Sequence, residues 1–191
     1  MNAIEAIAAR RSIRRFTDAP LEEEKLRAIL QAAAQAPSGK NRQPWRFIVV
    51  RDEKRAEMTR IMRAGIAGAK SRGDDIGSSE GSLRVMEQAP VTVFIFNPDG
   101  LAPWVAHSTE QMFNDVVDIQ SVGAAIQNML LAAQESGLGS LWMCDVFYAY
   151  KELCAWLGQS GEMIAAVALG YADESPAPRP RKPIGEVVRW V

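Results

Sequence analysis

Arg10-Arg11-Ser12-Ile13-Arg14-Arg15-Phe16 packs four arginines and a serine into six residues. The whole chain carries 22 basic and 23 acidic residues, so its overall charge gives no reason to collect cations there. Guanidinium forks beside a hydroxyl supply charge and several directed donors at once, which is what a phosphate requires. A solvated basic turn after a short helix would give the same letters. A second basic cluster, Arg179-Pro180-Arg181-Lys182-Pro183, stands at the far end of the chain. Its prolines stiffen an arm that either folds back onto an anion or serves as a short recognition peptide.

Two other stretches hold polar groups in constrained loops. Ser38, Gly39, Lys40, Asn41, Arg42 and Gln43 lie between Pro37 and Pro44 and enter a β-rich run at Trp45. Such a loop can offer N–H groups and amides to a flat heteroaromatic ring, and it also suits an ordinary connection. Gly137-Leu138-Gly139-Ser140-Leu141-Trp142-Met143-Cys144-Asp145 is a glycine-bracketed turn feeding a strand. It is not a dinucleotide fingerprint, because its glycines follow a helix and lack the required spacing. Cys144 and Cys154 have no metal-ligand spacing, and one histidine, His107, cannot anchor a histidine-based metal site. The thiols read as reduced, with Cys144 a small buried hydrophobe rather than a redox-active thiol, and His107 reads as a surface or satisfied loop residue. Trp104 and Phe113 either stack over a substrate or simply pack.

The elements that must position these groups follow from periodicity. With 191 residues, 48% apolar and 24% charged, the chain has the balance of one ordinary globular domain with a sizeable core. A net charge of −1 argues against nucleic acid as the main partner. No apolar run reads as membrane-spanning and the N-terminus lacks a signal-peptide core, so a cytoplasmic protein is expected. Pro20 and Glu22 to Glu24 start a helix whose apolar stripe runs through Leu26, Ile29, Leu30 and Ala33. Trp45 to Val50 reads as a strand, and Met58, Ile61 and Met62 as a helix that dissolves into an irregular, mobile stretch from Gly65 to Ser82. Val91 to Phe96 suits a strand covered on both faces. The longest helix is expected from about Gln111 to Glu135, capped by Gly137 and apolar nearly all round. Strands at Ser140–Cys144 and Ile164–Leu169 flank a helix at Tyr150–Leu157, and the proline-rich tail is expected to be extended.

In order and spacing these pieces resemble the nitroreductase family, flavoenzymes that hold FMN at a homodimer interface. The resemblance rests on Arg-Arg-Ser-x-Arg-x-Phe, Pro-Ser-x-x-Asn-x-Gln-Pro-Trp-x-Phe, Gly-Leu-Gly-Ser-x-Trp, Ala168-Leu169-Gly170-Tyr171 and the Pro/Arg-rich tail. It implies an α+β fold, with a central mixed β-sheet surrounded by helices, in an intertwined homodimer. Residues 1–191 would form one FMN-binding domain with an extended tail over 172–191. Carried over by position, Arg10, Arg11 and Ser12 bind the FMN phosphate together with Arg179 and Arg181, and Arg14 lies at the pyrimidine edge. Pro37, Ser38, Gly39 and Asn41 reach the ring and ribityl chain from the partner subunit, with Gln120 and Ser121 as further contacts. Trp142, Met143, Cys144 and Asp145 run along the ring, a backbone N–H near Cys144 facing flavin N5. Where many members place an Asn and a Lys before the first buried strand, this chain has Ser82 and Arg84. The implied activity is ping-pong hydride transfer from NADH or NADPH to nitroaromatics, quinones or similar acceptors, with no indispensable side-chain acid or base. Specialised flavoenzymes of the same fold and a non-catalytic flavin-binding protein remain the alternatives.

Overall fold

The computed structural model describes residues 1–191. Its frame is a four-stranded sheet in the order β1-β2-β4-β3, with β1 at Arg46–Arg51, β2 at Val91–Asn97, β3 at Gly139–Met143 and β4 at Glu162–Gly170. All three neighbouring pairs are antiparallel. A parallel bridge between Ser12 and Ser140 beyond β3 gives the sheet its mixed character.

Alternation along the strands sends apolar residues to both faces. Phe94, Phe96, Ala166, Ala168, Leu141 and Met143 meet α3 (Lys54–Ser71), α4 (Ser79–Gln88) and α6 (Tyr150–Leu157) on one face. Val93, Ile95, Ala165, Val167 and Leu169 meet α2 (Glu23–Ala34) and α5 (Thr109–Glu135) on the other. β2 is therefore buried along its whole length, as its apolar run, broken only by Thr92, requires.

α5 begins two residues before its expected start because Ser108 and Gln111 close a capping box, and Gly137 follows its end with φ +73°. By length and composition alone this helix could cross a bilayer, which corrects the expectation that no run has that character. Here it packs against α2 and the sheet through Val122, Ile126, Met129 and Ala133, all fully buried.

A second correction concerns Gly65 to Ser82. α3 runs on through Gly65 and Gly68 to Ser71, and α4 already starts at Ser79, so only residues 72–78 are irregular. Gly65 is a packing residue: a Cβ there would lie 2.4 Å from the Tyr148 carbonyl oxygen and 2.6 Å from the Ala149 Cβ. Its lack of a side chain lets α3 approach the turn after β3, and helix propensity yields to that contact. The tail also departs from expectation. After Pro183 it forms one helical turn, α7 (Ile184–Val187), rather than staying extended throughout.

Candidate functional site

α1 (Ala3–Ala9) starts with a capping box between Asn2 and Glu5 and ends at the arginine run. Arg11 caps its far end, donating from Nη1 to the carbonyls of Ala8 at 2.7 Å and Arg10 at 2.9 Å. The following residues are threaded between β3 and the chain leaving β4. Ile13 N donates to Ser140 O at 3.0 Å and Thr17 N to Tyr171 O at 2.9 Å. Glu174 completes the attachment, accepting from the backbone N–H groups of Arg14 at 2.5 Å and Arg15 at 3.2 Å.

This docking brings the two basic clusters together. Arg10, Arg11, Ser12, Arg14, Arg179 and Arg181 line one cleft of about 360 Å³, whose other lining residues are all uncharged. Arg10 Nε is buried there without a hydrogen-bond partner. Buried donors are rarely left unpaired, and five guanidinium groups facing one space attract an anion strongly. The donor set fits a phosphate.

The loop after Pro37 is held elsewhere. None of Pro37, Ser38, Gly39 and Asn41 lines the arginine cleft; the loop sits on α5 of its own chain. Gly39 N donates to Ser121 Oγ at 3.3 Å, and a Cβ on Gly39 would lie 2.4 Å from Val117 Cγ1. Arg42 reaches Asp118 at 3.0 Å, and Ser38 Oγ accepts from Gln43 N at 3.0 Å. Lys40, Asn41 and Gln43 all adopt left-handed φ values of 51–55°. Such strain persists only where surroundings impose it, and it gathers at ligand-binding loops.

Several expected contacts take other roles. Ser121 is buried, and its hydroxyl donates to Val117 O at 2.8 Å while accepting from Gly39, so it anchors the loop on α5. Met143 is buried in the core on the α3 side, which leaves only its backbone for the ring. The Asp145 carboxylate accepts from Ser78 Oγ at 3.0 Å and Ser82 Oγ at 2.5 Å, tying the start of α4 to the turn after β3. Ser82 thus contacts a neighbouring side chain, whereas Arg84, Gln120, Trp142 and Cys144 are exposed. Cys144 is thus exposed rather than the buried residue expected; partial desolvation of its sulfur, reinforced by Asp145, pushes the thiol up, against a thiolate role. Nothing local pairs Arg42 with Asp118, because the two lie far apart in the chain and Arg42 occupies an unspecified position of the loop motif.

Cys144 opens onto a second, largely apolar cavity of about 350 Å³ that also touches Ile119, Phe147 and Glu162. Burial raises the Glu162 carboxyl to about 7, and its Oε2 has no hydrogen-bond partner. Nearby, His107 Nδ1 lies 2.5 Å from Asp115 Oδ2, which raises the imidazole; His107 is the satisfied loop residue expected. Both groups favour the protonated form on folding, so each stabilises most at low pH and loses that contribution as pH rises through its folded value. Glu162 starts from an ordinary 4.5, so its share reaches at most about 3 kcal/mol and disappears from pH 5 to above 7. Thermal melts from pH 5 to 8 should show falling Tm, and Glu162→Gln should flatten the decline. A variant with the same slope as wild type would exclude Glu162 as the cause.

Comparison with known proteins agrees with this architecture. The model of the nitroreductase family matches residues 7–171. An NADH dehydrogenase of Thermus thermophilus is 30% identical over 214 aligned positions, covering 100% of this chain and 96% of that protein. An NADPH-flavin oxidoreductase of Vibrio harveyi is 31% identical over 191 positions, covering 98% of this chain and 72% of the relative. Among solved structures, a candidate nitroreductase of Desulfovibrio desulfuricans in complex with FMN superposes with a TM-score of 0.75 at 33% identity, covering 98% of this chain and 96% of its own. On the extent of these matches and the shared fold, the chain belongs to the nitroreductase family.

Proposed function

We propose that the protein is a cytoplasmic, FMN-dependent, homodimeric oxidoreductase. It takes hydride from NADH or NADPH and passes it to electron-poor acceptors such as nitroaromatics or quinones in a ping-pong sequence. The observation that carries this reading is the convergence of two sequence-distant arginine clusters on one cleft, with Arg10 Nε buried and unpaired. The FMN bound by the Desulfovibrio protein and the nicotinamide-linked activities named for the two relatives support it.

In this reading Arg10, Arg11, Ser12, Arg179 and Arg181 hold the phosphate through charge-assisted hydrogen bonds. Arg14 stands at the pyrimidine edge, where a cation stabilises negative charge that develops on reduction. The backbone of Trp142 to Asp145 lies along the ring, with the Ser78–Asp145–Ser82 contacts holding that turn in place. FMN, when bound, supplies the hydride-accepting centre; the chain binds, orients and shields it.

Dimerisation is supported by apolar residues that the single chain leaves exposed. Met112, Phe113, Val116 and Ile119 stand along the first half of α5, while Ile184, Val187 and Trp190 project from the tail. Surface of that extent suits a second copy of the chain, whose 37–41 loop would complete each site.

The test is an anaerobic visible spectrum of the purified protein before and after NADH, then NADPH. Flavin absorbance that bleaches within seconds is expected. Absence of flavin after soaking with FMN would overturn the reading. A spectrum that persists with both nicotinamides would leave a flavin-binding protein without this activity.

A further inference from the structure

A cavity of about 460 Å³ lies between α3 and the turn after β3, away from the arginine cleft. Trp104, Phe147, Tyr148 and Tyr150 wall it. Their rings meet edge to face, with Trp104 and Tyr150 centroids 4.8 Å apart at 75° and Phe147 6.5 Å from Tyr150. Each edge-to-face contact covers one face of one ring in the pair, so the aromatic surface left for a ligand is what Trp104 and Phe147 still expose. Trp104 is 49% exposed and Phe147 54%, an exposure of large aromatic surface that core packing does not explain. The opposite wall includes Gly68 of α3, where a Cβ would meet nothing nearer than Arg72 Nη1 at 3.5 Å. The space between is therefore a slot bounded by aromatic rings and a bare stretch of helix.

Two cations stand at its rim. Lys151 Nζ lies 5.1 Å from the Trp104 ring centroid and makes no ion pair. Asp74 holds Arg72 through Nε at 3.1 Å and Nη2 at 2.9 Å, leaving Nη1 free on the Gly68 side. Glu152 is the one acidic residue in the lining. Phe147 and Tyr150 also wall the cavity onto which Cys144 opens, so the two spaces are neighbours.

We propose that this slot binds a planar aromatic carboxylate, and that the electron acceptor belongs to that class; the acceptor half rests on the flavin reading above. The ring stacks on Phe147 and meets Trp104, inclined at 61° to Phe147, edge-on, and the carboxylate meets Lys151 and Arg72 Nη1. With 4-nitrobenzoate the reaction balances. NAD(P)H gives up a hydride and becomes NAD(P)⁺, and the nitro group takes that hydride with one proton, loses water and becomes nitroso.

Equilibrium dialysis of the purified, FMN-loaded protein against 4-nitrobenzoate and against nitrobenzene tests the site without turnover. Tighter binding of 4-nitrobenzoate is expected, and Lys151→Ala should weaken it about five- to tenfold while leaving nitrobenzene unchanged. Trp104→Leu should weaken both ligands. Equal affinity for the two ligands, or equal weakening of both by Lys151→Ala, overturns the carboxylate site. Steady-state KM values extend the test to the acceptor: Lys151→Ala should raise KM for 4-nitrobenzoate with little change in kcat. Wild-type bleaching by NAD(P)H reads the flavin proposal separately. Bleaching without 4-nitrobenzoate binding sinks this site alone, and binding without bleaching sinks the acceptor role.

Discussion

Arg10→Ala is expected to weaken FMN binding about 10- to 100-fold, because a charge-assisted hydrogen bond to phosphate is lost. Arg10 stands out among the cleft arginines because its Nε is buried without a partner, whereas Arg11 already caps α1. Removing Arg10 also removes an unsatisfied donor, so the apo protein should not be destabilised and its melt should match wild type. The informative control is riboflavin, which lacks the phosphate. Titration calorimetry should show wild type preferring FMN strongly over riboflavin and Arg10→Ala losing most of that preference. If the variant weakens both ligands equally, Arg10 acts on the shape of the site and the phosphate assignment falls.

The second large effect is expected at Arg42. Asp118 is only 2% exposed, and its Oδ1 lacks a partner, so Arg42 at 3.0 Å is what compensates its charge. Burial already raises the Asp118 carboxyl against the opposing pull of Arg42. Arg42→Ala leaves that charge uncompensated and should cost about 2 kcal/mol, less than for a wholly enclosed pair because the guanidinium is partly exposed. For a chain of this size that is a Tm loss of about 4–8 °C near pH 8. The sign with pH follows from the carboxyl. Its folded value rises further in the variant, so protonation relieves the strain and stability recovers as pH falls. Adding Asp118→Asn should restore the melt at high pH. An unchanged Tm for Arg42→Ala would show that the pair does not hold the 38–43 loop on α5.

Most of the element pattern was legible in the sequence because it depends on neighbours in the chain. The 3.6-residue stripe of α2, the apolar run of β2 and the span Tyr150–Leu157 appear where their periods placed them. The arginine run, the proline-bracketed loop and the glycine turn stand out through residue type, since few side chains suit a phosphate or admit a tight approach. Where a residue's role depends on what packs against it from elsewhere, local pattern misleads. Gly65 looks like a helix breaker and is a contact point for Tyr148 and Ala149. Ser121 anchors the 38–43 loop and the Met143 side chain fills the core, partners that no local pattern shows. Nothing in the letters ties Arg10 to Arg179. Their meeting requires β3 and the chain leaving β4 to flank residues 12–17, which only the closed sheet provides. The same holds for Arg42 and Asp118, and for the aromatic slot beside Lys151: side-chain chemistry is a property of the sequence, but burial, partners and electrostatic surroundings come from contacts made across the fold.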